Sequence, residues 1–292
     1  MSVFTVLFIA DICGKAGRQA TAHLTDVLKE KFKADFVIAN VENAAGGFGV
    51  TPEMSRKIFT YGVDVQTSGN HIWDRMAILE YIDQEPRLLR PDNYPKTPGS
   101  GVYVAEKEGV KIAVVNLMGR TYMLNIDCPF KKAQKILSTV SKETNIIFLD
   151  FHAEATSEKQ AMLYHLDSRV SAIVGTHTHV QTADEFITEN GTAYMTDAGM
   201  TGAYESVIGM EVGPSLGRFL TGMPKRFTAA KNDVKISGVA VGIDKKTGKA
   251  VNIQRYRYDF NIEKIDESKI AILGYKPRRS TLINIQEDDN DN

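Results

Sequence analysis

Over its first 200 residues the chain alternates short apolar, β-branched runs with stretches of helical periodicity, and this alternation most constrains its fold. Residues 3–10 are a Val-, Phe- and Ile-rich run that reads as a buried strand. Residues 20–32 follow, with Leu24, Val27, Leu28 and Phe32 at helical spacing. A second strand at 36–41 precedes a turn carrying Gly46, Gly47 and Gly49, then a helix opened by Thr51 as N-cap with Pro52 in first position. The pattern continues with a short strand near 63–67 and a helix around 75–82. Strands at 101–105 and 110–117 read as a hairpin turning at Lys107-Glu108-Gly109. Strands at 146–150, 172–175 and 193–196 and a helix through 157–166 complete the series. Repeated strand–helix units predict an α/β layered domain. From about Asp233 helical patterning stops, and runs at 234–243 and 250–259 flank a polar loop, predicting a second hairpin. No composition shift marks a linker. Residues 1–265 therefore read as one domain, and 266–292 as a C-terminal extension whose acidic end is expected to be disordered.

Composition excludes several classes. Lys and Arg total 35 against 36 Asp and Glu, a net charge of -1, which rules out a polybasic nucleic-acid binder. Cys13 and Cys128 are the two cysteines, too few and too distant for a disulfide framework or a Cys-rich zinc site. The first apolar run has no leading Lys or Arg and ends in Asp11, unlike a signal peptide. No stretch approaches the ~20 apolar residues of a membrane span. A cytoplasmic location is expected.

The chemistry lies in where the polar residues fall. Successive strands end in Asp11, in Glu42-Asn43, in Gly69-Asn70-His71, in Asp150-Phe151-His152 and in Gly175-Thr176-His177-Thr178-His179. Four of the six histidines lie in these segments. In open α/β sheets ligands bind beyond the carboxyl ends of strands, so five such ends can surround one cleft. Each segment alone has an ordinary reading as a cap or turn. Structural turns, however, have no reason to collect acid, amide and imidazole at successive strand ends. In the His177-Thr178-His179 segment, alternation along an extended chain would set both imidazoles on one face. Carboxylate, amide and imidazole without obligatory thiolate suit Mn, Fe, Zn or Ni rather than an Fe–S cluster or a pure Ca or Mg cage. Asp11, Glu42, Asn43, Asn70, His152, His177 and His179 are too many donors for one tetrahedral site and match two metals sharing a carboxylate. His71 stands beside Asn70, with Asp74 three residues on.

At these residues the sequence resembles the calcineurin-like metallophosphoesterases, and more closely their YmdB-like phosphodiesterase branch. The matching segments are Asp11-Ile12-Cys13-Gly14, Asn40-Val41-Glu42-Asn43-Ala44-Ala45, Gly69-Asn70-His71-Ile72-Trp73-Asp74, Asp150-Phe151-His152-Ala153-Glu154 and Gly175-Thr176-His177-Thr178-His179-Val180. Thr196-Asp197-Ala198-Gly199-Met200-Thr201-Gly202 and Phe219-Leu220-Thr221-Gly222-Met223-Pro224 also match the branch. The broad superfamily opens with Asp-x-His, where this chain has Cys13 in third position, and continues with Gly-Asp-x-x-Asp, where it has Val41-Glu42-Asn43. The branch shares the Glu-Asn replacement.

The resemblance implies a four-layer sandwich of two mixed β-sheets flanked by helices. It implies one metal held by Asp11, Glu42, Asn43 and His179 and a second by Glu42, Asn70, His152 and His177, with Glu42 bridging. Asn43 would replace the missing histidine, and Cys13 is the rival for that place. His71, beside Asn70 but free of metal, would be the general acid, with Asp74 orienting its ring. Glu154 and Asp197 are expected as partners of the imidazoles or as simple caps. The implied activity is a metal-dependent phosphodiesterase acting on cyclic nucleotides, 2′,3′-cyclic nucleotides in particular, by in-line attack of a metal-bridging hydroxide. The implied cofactor is two divalent or mixed-valence transition-metal ions, Fe or Mn ahead of Zn. The reading leaves room for docking onto RNA-processing machinery and for a homo-oligomer.

Alternative readings are a nucleotidase-type monoesterase, or a regulatory partner of RNA processing with a vestigial site. A dinucleotide-binding enzyme fails on motif, since Gly46-Gly47-Phe48-Gly49 is not Gly-x-Gly-x-x-Gly between strand and helix. Lys15, Arg18, Arg218, Lys225 and Arg226 read as solvated surface charge, and Phe219, Met223 and Phe227 as core. His23 and His165 read as ordinary packing or surface residues, and Trp73 as packing beneath the Gly69-Asn70-His71 turn.

Overall fold

A computed structural model describes residues 2–260, so the boundary expected at 265 and the extension beyond it lie outside the described residues. The first half of the chain forms β1 (Val3–Ile9), β2 (Asp11–Ile12), α1 (Gly14–Phe32), β3 (Phe36–Asn40), α2 (Pro52–Thr60), β4 (Val65–Thr67), α3 (Ile78–Tyr81), β5 (Val102–Lys107), β6 (Val110–Met118) and α4 (Pro129–Val140). The second half adds β7 (Ile147–His152), α5 (Thr156–Leu166), β8 (Ala172–Thr176), β9 (Phe186–Ile187), β10 (Ala193–Met195), β11 (Met200–Ala203), α6 (Val212–Thr221), β12 (Val234–Asp244) and β13 (Ala250–Asp259).

The pleat of β1 defines the layers. Phe4, Val6 and Phe8 point to one side and Leu7 and Ile9 to the other, and all five are buried. A strand buried on both faces needs a cover on each. In the first sheet β1 runs parallel to β3 and β3 to β4, while β12 lies antiparallel on the other side of β1 and β13 beyond it. The second sheet has the order β5-β6-β7-β8-β10-β9, with β6, β7, β8 and β10 mutually parallel. Phe4, Val6 and Phe8 meet Ile112, Val114, Phe148 and Val174 between the sheets, and the Phe8 and Phe148 rings stack with centroids 5.5 Å apart. Leu7, Ile9 and Val37 pack outward against Ala20 and Leu28 of α1 and Ile58 of α2. Val115, Leu149 and Phe151 pack outward against Ile136 and Leu137 of α4 and Met162 and Leu163 of α5. The result is the expected sandwich of two mixed sheets between helices.

Both hairpins form as expected. Glu108 and Gly109 take φ 51° and 77°, the left-handed pair that a tight turn requires. Thr51 caps α2 by accepting from the Met54 N–H at 3.2 Å. Elsewhere the structure departs from the sequence reading. The helix expected over 75–82 is a single turn, α3. Helix α4 is absent from the sequence reading, although Pro129 at its start and buried Ala133, Ile136, Leu137 and Val140 at helical spacing carry a readable signal. Helix α6 is also absent from the sequence reading, although Val212, Leu216, Phe219 and Leu220 fall at helical spacing; that stripe is exposed, and Ser215 is the helix's one buried residue. Phe219 and Met223 are accordingly not core, being 82% and 62% exposed. Arg18 is not solvated surface charge either. It is buried, and its guanidinium donates to the Ala44 carbonyl.

Candidate metal centre

The parallel strands β1, β3, β4, β7 and β8 present their carboxyl ends to one region. Asp11 lies just past β1, Glu42 and Asn43 past β3, Asn70 and His71 past β4, His152 at the end of β7, and His177 and His179 past β8. A parallel bridge between Cys13 and Asn43 joins the first two ends. Two groups of donor atoms result, each with all members within 4.8 Å of one another: Glu42, His152 and His177, and Asp11, Glu42 and His179. Glu42 belongs to both. The side-chain oxygen of Asn70 lies 3.1 Å from His152 Nε2, and that of Asn43 lies 3.2 Å from His179 Nε2.

Hydrogen bonds on the far side of each ring decide what faces the cleft. His179 Nδ1 donates to the Ile208 carbonyl at 2.8 Å, which leaves a lone pair on Nε2. Asp150 accepts from Thr176 Oγ1 at 2.7 Å, so that hydroxyl must accept from His152 Nδ1 at 2.9 Å, which leaves His152 Nε2 bare. His177 Nε2 lies 3.1 Å from Glu154 Oε2, which leaves His177 Nδ1 bare, 3.0 Å from His152 Nε2. In these neutral forms lone pairs meet lone pairs and carboxylate oxygens. Asp11 Oδ1 is buried with no hydrogen-bond partner at all. Burying such groups unpaired is costly, and cations would satisfy them. Gly69 keeps the space open, since a Cβ there would fall 2.2 Å from both Glu42 Oε2 and His152 Nε2. The residues present fit a pair of metal ions.

The charges are arranged for the same end. Burial pushes Glu42 up, but His152, His71 and His177 more than offset it and hold the carboxyl below its ordinary range. Burial and the neighbouring His152 charge push His177 down to about 3, keeping it neutral. Burial opposes a charge on His179, yet Asp11 overrides it and raises the ring to about 9. Burial likewise opposes a charge on His152, yet Glu42 and Asp11 override it and raise that ring too. Without metal, then, protons on His152 and His179 stand where cations would, and cation uptake displaces them.

His71 sits beside the donor groups and in neither. Its backbone N–H donates to Glu42 Oε2 at 3.3 Å, its Nδ1 lies 2.7 Å from Asp74 Oδ2, and the Phe48 ring meets it edge-on with centroids 5.1 Å apart. Cys13 packs instead with Met200 and Met210, and burial, with Asp11 and Glu42 nearby, pushes its thiol up to about 12. A neutral thiol in an apolar cluster is a poor metal ligand.

Two readings need correction. His177 and His179 are not in an extended, alternating segment. They follow β8 with φ of 102° and 64°, and these left-handed turns, not pleat alternation, direct them. Asp197 touches no imidazole. Its Oδ2 accepts the Thr178 N–H at 3.1 Å and the Lys159 ammonium at 2.8 Å. Glu154 does meet an imidazole, as described. Sequence reasoning missed Asp150, which ties Asn40 and Thr67 of the first sheet to Thr176 of the second. It missed Arg75, which donates to the carbonyls of Ala45 and Phe48 and holds the glycine-rich loop beside His71. Of the residues read as bland, His23 stacks on Phe260, His165 meets Phe130 edge-on, and Trp73 packs edge-on against Tyr94.

A two-sheet sandwich whose parallel strand ends gather two donor groups around one shared carboxylate is the architecture of a metallophosphoesterase. Within that class a family model described as YmdB-like protein matches residues 7–256, and the chain belongs to this family. It is 47% identical over 251 residues to a 2′,3′-cyclic-nucleotide 2′-phosphodiesterase of Bacillus subtilis, covering 86% of this chain and 95% of that protein. The crystal structure of a phosphatase from Mycoplasma pneumoniae superposes with a TM-score of 0.85 at 33% identity, covering 92% of this chain and 99% of that one. The crystal structure of a hypothetical protein from Thermus thermophilus gives a TM-score of 0.82 at 39% identity, covering 88% of this chain and 100% of that one. Among the described residues no helix is long and apolar enough to cross a membrane.

Proposed function

We propose that the protein hydrolyses phosphodiester bonds of cyclic nucleotides, 2′,3′-cyclic nucleotides foremost, with two transition-metal ions bound between its donor groups. The observation that carries this reading is the convergence of bare imidazole nitrogens, amide oxygens and the orphaned Asp11 Oδ1 around Glu42. Asp11, Glu42, Asn43 and His179 would hold one ion, and Glu42, Asn70, His152 and His177 the other. Mixed oxygen and imidazole donors favour Fe or Mn, with Zn next. Bound there, the ions would activate a water and neutralise charge on the phosphoryl oxygens.

The chain's own residues do the remainder. Attack forms one P–O bond and breaks the opposite ester bond, and the departing alkoxide needs a proton. His71 Nε2 supplies it, because Nδ1 is engaged by Asp74 and the ring stands free of both donor groups. Asp74 fixes the ring orientation. The substrate class rests on the name of the Bacillus subtilis relative.

The test is hydrolysis of a 2′,3′-cyclic nucleotide and of the matching nucleoside monophosphate by Mn-loaded protein, with and without chelator. Cleavage of the cyclic diester alone, abolished by the chelator, is expected. Faster release of phosphate from the monoester would make the protein a nucleotidase, and absence of both activities would leave a vestigial site.

A further inference from the structure

The buried face of α5 consists of Lys159, Met162, Leu163 and Leu166, an apolar stripe whose first member is a lysine. Lys159 is 1% exposed, as is Asp197, and the ammonium lies 2.8 Å from Asp197 Oδ2. The lysine stem reaches this point by running past Gly175, where a Cβ would come within 3.0 Å of Lys159 Cδ and 1.8 Å of the Thr196 carbonyl. A buried ion pair is a poor source of stability compared with apolar packing of the same volume, so its presence calls for another reason.

What the pair holds supplies that reason. Asp197 Oδ2 accepts the N–H of Thr178, and Oδ1 accepts the N–H of Gly199 at 2.9 Å. The Asp197 carbonyl accepts the Thr182 N–H at 3.1 Å. Thr178 stands between His177 and His179, whose left-handed backbones are uncommon for residues with a side chain and persist only where the surroundings over-determine them. His177 belongs to one donor group and His179 to the other.

We infer that the Lys159–Asp197 pair is a strut that fixes the separation of the two metal positions, by clamping the one peptide N–H between their imidazole ligands. Lys159 neutralises and aims the Asp197 carboxylate, and the carboxylate pins Thr178. Both are positioning residues, and neither belongs to a donor group. The inference rests on the two-metal reading above.

The experiment is titration of the metal-free full chain with Mn2+, following affinity by calorimetry and the exchange-coupled Mn–Mn signal by electron paramagnetic resonance. Lys159→Met/Asp197→Leu removes both charges together and leaves no unpaired buried ion. It is expected to lose the coupled signal and to bind the second ion roughly 10–100-fold more weakly, the range typical of groups that support metal ligands. A double variant that melts lower but keeps the coupled signal and wild-type affinity would overturn the inference, because a strut serving only the fold would behave so. Should that variant not fold, Asp197→Asn decides. It keeps the side chain's size and gives up the charge and one acceptor, so at least about tenfold weaker binding of the second ion is expected and unchanged binding overturns the proposal. Wild-type protein that never shows a coupled pair would instead refute the two-metal reading itself.

Discussion

The assignment of His71 as proton donor makes a prediction that separates chemistry from metal binding. In His71→Ala the ring that pairs with Asp74 at 2.7 Å and meets Phe48 edge-on is lost. The backbone N–H that reaches Glu42 Oε2 remains, because alanine keeps it. No atom of either donor group is removed, so both ions should stay. General acid catalysis contributes about 10²–10⁴-fold, so turnover of a cyclic nucleotide should fall by that factor, roughly 3–5.5 kcal/mol of transition-state stabilisation. The loss should depend on the leaving group. A ribose alkoxide needs a proton as it departs, whereas p-nitrophenolate leaves without one. Steady-state rates for a 2′,3′-cyclic nucleotide and for bis(p-nitrophenyl) phosphate, with elemental analysis of the same preparations, make the test. A large loss on the first substrate, a small loss on the second and full metal content are expected. Equal losses on both substrates, or depleted metal, would refute the assignment.

Other predictions concern single features. Glu42→Ala should deplete both ions together, since both donor groups use this carboxylate, and elemental analysis finding two ions retained would contradict its bridging place. Phe8→Ala opens a void between the sheets where Phe8 stacks on Phe148, and should cost about 3–5 kcal/mol, read as a lower denaturant midpoint. Cys13, buried and with its thiol pushed up to about 12, should resist alkylation at pH 8 in the native protein, while partly exposed Cys128 reacts. One thiol modified before denaturation and two after is the expected count. Rapid native labelling of both would show that the site admits solvent to Cys13.

How much was legible in the sequence follows from which interactions are local. The β1 pleat, the Thr51-Pro52 cap and both hairpins depend on residues a few positions apart, and each appeared where its pattern placed it. Donor types at strand ends were legible for the same reason, because a strand that stops must stop in a turn, and the turn residues are its immediate neighbours. Helix α6 shows the converse: Val212, Leu216, Phe219 and Leu220 repeat at helical spacing, yet the stripe is exposed, so periodicity there does not mark a core. The distances among Asp11, Glu42, His152, His177 and His179 join residues up to 168 positions apart along the chain. No spacing rule states that Glu42 lies in both groups.

The chain's linear order was thus enough to set an alternating α/β pattern, most of the strands that build it and the kinds of atoms carried at their ends, though not the short β2, β9 and β11. Tertiary structure alone decided which ring nitrogen faces the cleft, through Ile208, Thr176 and Glu154 on the far sides of the rings. It alone turned His177 and His179 inward through left-handed backbones, and set a buried lysine beneath them. The physical reason is range. Periodicity and capping act over one or two turns of chain, whereas tautomer, strain and buried charge are settled by whatever distant segment the fold brings within about 3 Å of a polar atom.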